Sequence, residues 1–126
     1  MIQYDVLRDR NIVVVTPESP LEEGDFAQLA NAIDPLVAAN RTLAGLMVCV
    51  RSFPGWASFA ALTAHLRFVA EHHRKIERIA AVTDSGFLKI VPRLAGVFVH
   101  PEIRTFGFDE REQAMVWLQA GRSAAA

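Results

Sequence analysis

The chain has 126 residues, of which 52% are hydrophobic, and its formal net charge is −1 at pH 7. This length suits one domain, and the apolar content is enough for a core without disulfides or metal ions. The near-neutral charge argues against nucleic acid as a partner, because phosphate binding needs a basic face. The single cysteine, Cys49, lies in an apolar run, as expected for a reduced thiol in a cytosolic protein. No signal peptide or membrane-spanning segment is predicted.

The first third of the chain predicts a β-hairpin followed by a helix. Residues 2–7 alternate apolar and polar side chains, and residues 12–15 form a β-branched run. The acidic residues that crowd the first turn of the helix, where its dipole favours them, are Glu22, Glu23 and Asp25. The apolar face of this helix consists of Phe26, Leu29, Ala30, Ile33 and Val37. Pro35 interrupts the helix, so we expect a kink or a restart with Asp34 as the cap.

The remainder predicts strands that alternate with helices. Apolar strands are predicted over 46–50, 79–82 and 102–108, and helices over 58–75, over 87–99 and after Asp109. The helix over 58–75 is expected to turn inward Phe59, Leu62, Leu66, Val69 and Ala70. The order ββαβαβαβα predicts one α/β domain with a mixed, mostly parallel five-stranded sheet and four helices. We expect this domain to span residues 1–119 and the tail 120–126 to fray.

Several short motifs, taken in order, resemble one protein family. They are F-x-G-W after an apolar strand, H-L-x-F-x-x-x-H in the next helix, I-x-R-I-A-x-V-x-D, I-R-x-F and A-x-x-W-L. In this chain they are formed by Phe53, Gly55 and Trp56; His65, Leu66, Phe68 and His72; Ile76, Arg78, Ile79, Ala80, Val82 and Asp84; Ile103, Arg104 and Phe106; and Ala114, Trp117 and Leu118. Over residues 1–119 the chain resembles the SpoIIAA-like group of small bacterial proteins, which are relatives of the STAS (sulphate transporter and anti-sigma-factor antagonist) domain.

The resemblance implies a STAS-like fold and a non-enzymatic binding role. Members of the group have been suggested to bind small apolar or lipid-like molecules and to associate with membranes. In regulatory STAS proteins, a partner kinase phosphorylates a serine in a D-S-x-G turn before the second helix. The matching stretch here contains Ser52 and Ser58 but lacks the Asp-Ser pair, so the resemblance does not carry the phosphorylation switch over. The tryptophan that is usual soon after the strand-end aspartate is Phe87 here.

The stretch RSFPGW, residues 51–56, joins an apolar strand to a helix. Ligands of α/β sheets bind where strands end and helices begin, because free backbone N–H groups lie there. Gly55 would let a ligand approach the backbone, Arg51 supplies a charge, and Phe53 and Trp56 supply apolar walls. The alternative is a tight turn whose aromatic rings only cover the sheet edge.

The predicted helix over 87–99 is apolar around nearly its whole circumference, with only Lys89 and Arg93 plainly polar. Such a helix is either buried by neighbours or a second subunit, or it covers an apolar ligand or contacts a membrane. Together with the RSFPGW stretch it defines the predicted ligand-binding set, which is Arg51, Phe53, Gly55, Trp56, Phe87, Leu88 and Val91.

The sequence does not assemble a catalytic or metal site. His65 and His72 are seven residues apart, whereas zinc-binding pairs on a helix are three or four apart. No nucleophile elbow or Gly-rich phosphate loop is present, and Asp84-Ser85 fits a helix cap. We therefore expect a cytoplasmic binding module that is not an enzyme and needs no cofactor.

Its expected partner is an apolar or lipid-like ligand, with peripheral membrane contact as an extension of that role. The alternative is a signalling regulator that binds a protein, or a second copy of itself, through the same apolar helix over 87–99.

Overall fold

The computed structural model describes residues 2–52, 54–84 and 101–125, which form five strands and three α-helices. In chain order the elements are β1 (Ile2–Leu7), β2 (Ile12–Pro17), α1 (Glu23–Asn40), β3 (Leu43–Cys49), α2 (Phe59–His72), β4 (Ile76–Val82), β5 (Glu102–Phe106) and α3 (Arg111–Ala125). Short 3-10 turns span Arg8–Arg10 and His73–Lys75. The helix predicted over 87–99 lies outside the described residues, so the described part contains three α-helices where four were predicted for the chain.

The five strands form one sheet in the order β1-β2-β3-β4-β5. β1 and β2 pair antiparallel, and every other neighbouring pair is parallel. This confirms the predicted mixed sheet with an antiparallel edge hairpin. β3 is buried along almost its whole length, as expected from its continuous apolar run. α3 continues to Ala125, past the predicted domain boundary at residue 119, and that boundary stays a prediction.

Helix α1 runs without a break through Pro35, so the predicted restart at Asp34 is wrong. Glu22 and Asp25 form a capping box, in which the Asp25 carboxylate accepts a hydrogen bond from the Glu22 backbone N–H at 2.8 Å. Pro35 and Asn31 both lie on the exposed face, where water can satisfy the Asn31 carbonyl that proline leaves without a donor. The helix therefore continues, and Asp34 is left free to contact α2.

The core has two layers, one on each face of the sheet. Successive residues of β2 point to opposite layers, as the period of a strand requires: Val13 and Val15 face α1 and α2, whereas Ile12 and Val14 face α3. On the α3 face, the buried partners of the strands are Ala114 and Leu118.

The inward face predicted for α2 is wrong at three of its positions. Phe59 is 82% exposed, Leu66 is 62% exposed, and Ala70 is also exposed. The buried residues of the helix are Ala61, Phe68 and His72. Because this helix is apolar on both sides, hydrophobic spacing alone does not fix which side is buried. Contacts with α1 fix it instead, through the stacking of His65 on Phe26 and the contact of His72 with Asp34.

Candidate apolar ligand-binding site

A cavity of about 280 Å³ lies between α1, α2 and the face of the sheet that they cover. Among the described elements, α2 packs mainly against α1 and less closely on the strands, which leaves space beneath it. All five strands contribute to the lining. The described lining residues are Ile2, Val15, Pro17, Leu21, Phe26, Leu29, Leu46, Val48, Val50, His65, Phe68, Val69, His72, His73, Ile76, Ile79, Ala81, Pro101 and Ile103.

The lining is apolar except for histidine. Among the described residues of the lining, His65, His72 and His73 are the only ones with polar side chains. His65 and His72 lie on the same side of α2 because seven residues make about two helical turns. Phe68 lies between them on that side and is 9% exposed. This arrangement suits a ligand that is held mainly by apolar contact, with few polar contacts to orient it.

His72 holds α2 against α1. Its Nδ1 lies 3.0 Å from the carbonyl oxygen of Phe68, and its Nε2 lies 3.0 Å from the carboxylate of Asp34. The ring also stacks on Phe68, with 4.2 Å between ring centroids. Both ring nitrogens are therefore engaged within the protein, and His72 offers the cavity the surface of its ring rather than a free polar atom.

His65 differs from His72, because only one of its ring nitrogens is hydrogen-bonded within the part of the chain that the structure describes. Its Nδ1 accepts a hydrogen bond from the indole N–H of Trp56 at 3.1 Å, and its ring stacks on Phe26 with 4.8 Å between centroids. Burial lowers the pKa of His65 from its ordinary value of 6.5, which favours the neutral ring. In the described part of the chain, no group lies within hydrogen-bond distance of its Nε2.

The RSFPGW stretch is divided between two environments. Trp56 is half-buried and reaches the cavity wall through His65. Gly55 has a φ of +84°, a conformation that glycine adopts readily, and its carbonyl accepts from the Leu21 N–H at 2.8 Å. Arg51 lies elsewhere and is exposed, with its guanidinium 3.2 Å from the Asp84 carboxylate and stacked over Phe108.

The structure thus brings part of the predicted ligand-binding set near the cavity. Arg51, Gly55 and Trp56 are not among the described residues that line it, although Trp56 contacts one that does. The other predicted members lie outside the described residues, and they are Phe53, Phe87, Leu88 and Val91.

Sequence reasoning missed the histidines as part of a cavity wall. The available signal was the H-L-x-F-x-x-x-H motif, which places His65, Phe68 and His72 on one side of a helix. Their surroundings come from α1, which lies far away in sequence: Phe26 stacks on His65, and Asp34 binds His72.

The described residues contain neither a metal-binding cluster nor a membrane-spanning helix. No group of three or more His, Cys, Asp or Glu side chains is arranged to hold a metal ion there. None of the described helices combines the length and the apolar character needed to cross a bilayer. Burial raises the pKa of the Cys49 thiol, which makes it a poor nucleophile.

The fold places the chain in a known class of small α/β domains, those with a SpoIIAA-like fold. The SpoIIAA-like family model matches residues 12–119, so the chain belongs to the SpoIIAA-like family. This confirms the resemblance that the sequence motifs indicated. A search of curated proteins finds no match.

A solved structure shares this fold. It is an uncharacterized protein of the DUF3478 family with a SpoIIAA-like fold, from Shewanella loihica PV-4. The two chains are 18% identical, the match covers 93% of each, and the TM-score is 0.76. At this identity the similarity shows a shared fold.

Proposed function

We propose that this protein binds a small apolar or lipid-like molecule in the cavity between α1, α2 and the sheet. The cavity itself is the observation that carries the proposal: it measures about 280 Å³, and its described lining is apolar apart from three histidines. An apolar cavity of roughly 150 Å³ is large enough to bind benzene. A volume of about 280 Å³ therefore suits a larger molecule, such as a medium-length alkyl chain.

A ligand in this space would be held mainly by burial of its apolar surface against the lining, at about 25 cal/mol per Å². The SpoIIAA-like fold supports a non-catalytic module in general, which agrees with a binding role.

Native mass spectrometry tests the proposal directly. Protein purified without detergent should carry an additional mass that is lost on denaturation. Protein stripped of this molecule should regain mass, and its melting temperature should rise, when it is offered medium-chain ketones, alcohols, esters or a lipid extract. Protein that carries no additional mass and gains none from any of these compounds would contradict the proposal.

A pair of variants in α2 locates the site. Val69 lines the cavity, whereas Leu66 is exposed on the outer side of the same helix. Val69→Trp should place an indole ring in the cavity and abolish ligand uptake, while Leu66→Trp should leave it unchanged. Uptake measured by native mass spectrometry should separate the two variants, and equal uptake by both would place the ligand elsewhere.

We propose, as a second candidate, that the outer side of α2 lies on an anionic membrane surface. Phe59 and Leu66 are exposed there, two helical turns apart. The segment 59–75 also carries exposed Arg67, Arg74 and Lys75, against a single acidic residue, Glu71. Exposed apolar side chains beside basic ones are typical of helices that bind the membrane interface.

Vesicle sedimentation tests this second role. The protein should sediment with vesicles that contain phosphatidylserine and less with pure phosphatidylcholine, and the double variant Phe59→Glu/Leu66→Glu should lose the interaction. Val116→Glu is the matched control, because Val116 is 65% exposed but lies on α3. Equal sedimentation of all variants would contradict a role for α2.

The signalling alternative that the sequence raised acts through the helix predicted over 87–99, which lies outside the described residues. It stays a prediction, as does a homodimer through that helix. Size-exclusion chromatography with light scattering measures the oligomeric state, and a monomer that binds ligand would favour the cavity over a subunit interface.

A further inference from the structure

We propose that Nε2 of His65 donates a hydrogen bond to the ligand, and that the ligand is an apolar molecule with one neutral acceptor group, such as a ketone, ester or alcohol. This inference rests on the proposed function, because it concerns the occupant of the same cavity. It adds the chemical class of the ligand's polar end and the atom that recognises it.

The hydrogen bond from Trp56 fixes the tautomer of His65. An indole nitrogen only donates, so the Nδ1 that receives it must carry a lone pair and no proton. The neutral imidazole ring then carries its proton on Nε2. The hydrogen bond from Trp56 therefore makes Nε2 of His65 a donor rather than an acceptor.

The donor on Nε2 has access to open space. In the described part of the chain, no fully buried side-chain nitrogen lacks a hydrogen-bond partner, so Nε2 is not sealed inside the protein. The open space that His65 lines is the cavity. Since the described residues around it supply no acceptor for Nε2, an acceptor group of a ligand in the cavity can take the place that water otherwise has.

The same geometry disfavours a carboxylate at this end of the ligand. To pair with a carboxylate as a cation, His65 would need a second proton on Nδ1, which would then face the N–H of Trp56. Burial also lowers the pKa of His65 and so opposes that protonation. No lysine or arginine is among the described lining residues, so a buried carboxylate would lack a compensating charge.

Calorimetric titration with three probes tests the inference. The probes are 2-nonanone, which has a neutral acceptor, nonanoate, which is an anion of the same carbon number, and propylbenzene, which has no acceptor. Wild-type protein should bind the ketone at least roughly 10-fold more tightly than nonanoate. His65→Phe keeps an aromatic ring beside Phe26 and removes the donor, so it should weaken ketone binding roughly 2- to 10-fold. Its affinity for propylbenzene should stay within about twofold, because that probe uses apolar contact alone.

Leu66→Phe is the matched control, since it introduces the same residue on the exposed side of α2 and should change none of the three affinities. Unchanged ketone affinity in His65→Phe, or nonanoate binding as tight as that of the ketone, would overturn the inference and leave the proposed function standing. If wild-type protein binds none of the probes, the proposed function fails instead.

A measurement on the wild-type protein needs no variant. Nitrogen-15 NMR of the histidine rings should show His65 with its proton on Nε2, and the Nε2 signal should shift when 2-nonanone is added. A proton on Nδ1, or an Nε2 signal that does not respond to bound ketone, would overturn the inference even if His65→Phe fails to fold.

Discussion

The face of the sheet that packs against α3 is filled, whereas the face beneath α2 keeps a cavity of about 280 Å³. On the filled face, Leu118 lies so close to Gly45 that a Cβ atom there would be 2.9 Å from its Cδ2. Ala114 and Leu118 are fully buried. Both faces are built by the same strands, and among the described helices α3 lies closer to the sheet than α2 does.

The family motifs are also divided between the two faces of the sheet. Arg78 and Trp117 belong to the filled face, where Arg78 donates to the Trp117 carbonyl at 2.7 Å and its guanidinium lies over the indole ring. His65 and His72 belong to the cavity wall. The first pair holds the fold together, and the second pair shapes the space available to a ligand.

The largest expected loss of stability comes from a substitution on the face that packs against α3. Leu118→Ala should lower the free energy of unfolding by about 2–5 kcal/mol, because it opens a cavity in a tightly packed layer. Val48→Ala, in the wall of the existing cavity, should cost about 1 kcal/mol, because Val48 is only partly buried. Urea denaturation measures both values, and equal losses would show that the two faces are packed alike.

A smaller loss of stability is expected for a substitution at Gly45, whose backbone packs against the Leu118 side chain. Gly45→Ala should cost about 1–3 kcal/mol, since the added methyl group overlaps the Leu118 side chain. In the Leu118→Ala background the same change should cost less, because most of the overlapping atoms are gone. A double-mutant cycle measures this coupling, and additive losses would mean that Gly45 is not confined by Leu118.

The smallest expected effect is on how the free energy of unfolding depends on pH, and it comes from His65 in the cavity wall. Burial lowers the pKa of His65 below 6.5, so the unfolded chain takes up this proton more readily than the folded one. The stability that neutral His65 contributes is complete above pH 6.5 and declines as the pH falls below it.

Between pH 7.5 and 5.5, the free energy of unfolding of His65→Phe should therefore fall less than that of the wild-type protein. Denaturation curves at about four pH values measure this difference. The other ionisable side chains near the cavity, which are His72, His73 and Asp34, are the same in both proteins. Leu118→Ala, on the other face, should keep the wild-type dependence. An identical pH dependence in the wild-type protein and His65→Phe would contradict the lowered pKa of His65.

Most of the fold could be predicted from sequence because its signals are local. The alternation in β1, the apolar run of β3 and the acidic first turn of α1 each act within a few residues. The parallel pairing of the later strands then follows from the predicted alternation of strands and helices.

The site could not be predicted in the same way, because a cavity is a property of packing between distant elements. α2 is apolar on two sides, and contacts with Phe26 and Asp34 decide which side turns inward. Pro35 was a misleading signal, because α1 continues through it with Pro35 and Asn31 on the exposed face, where water can satisfy the freed carbonyl.

The paired backbones at Leu21 and Trp56 have a consequence for redesign of this protein. Leu21 donates to the Gly55 carbonyl, and its own carbonyl accepts from the N–H of Ala57, both at 2.8 Å. The two loops that lead into α1 and α2 are therefore joined at these residues. A tag or peptide inserted at the paired residues of one loop would also disturb the other loop, although each resembles an ordinary surface linker in the sequence.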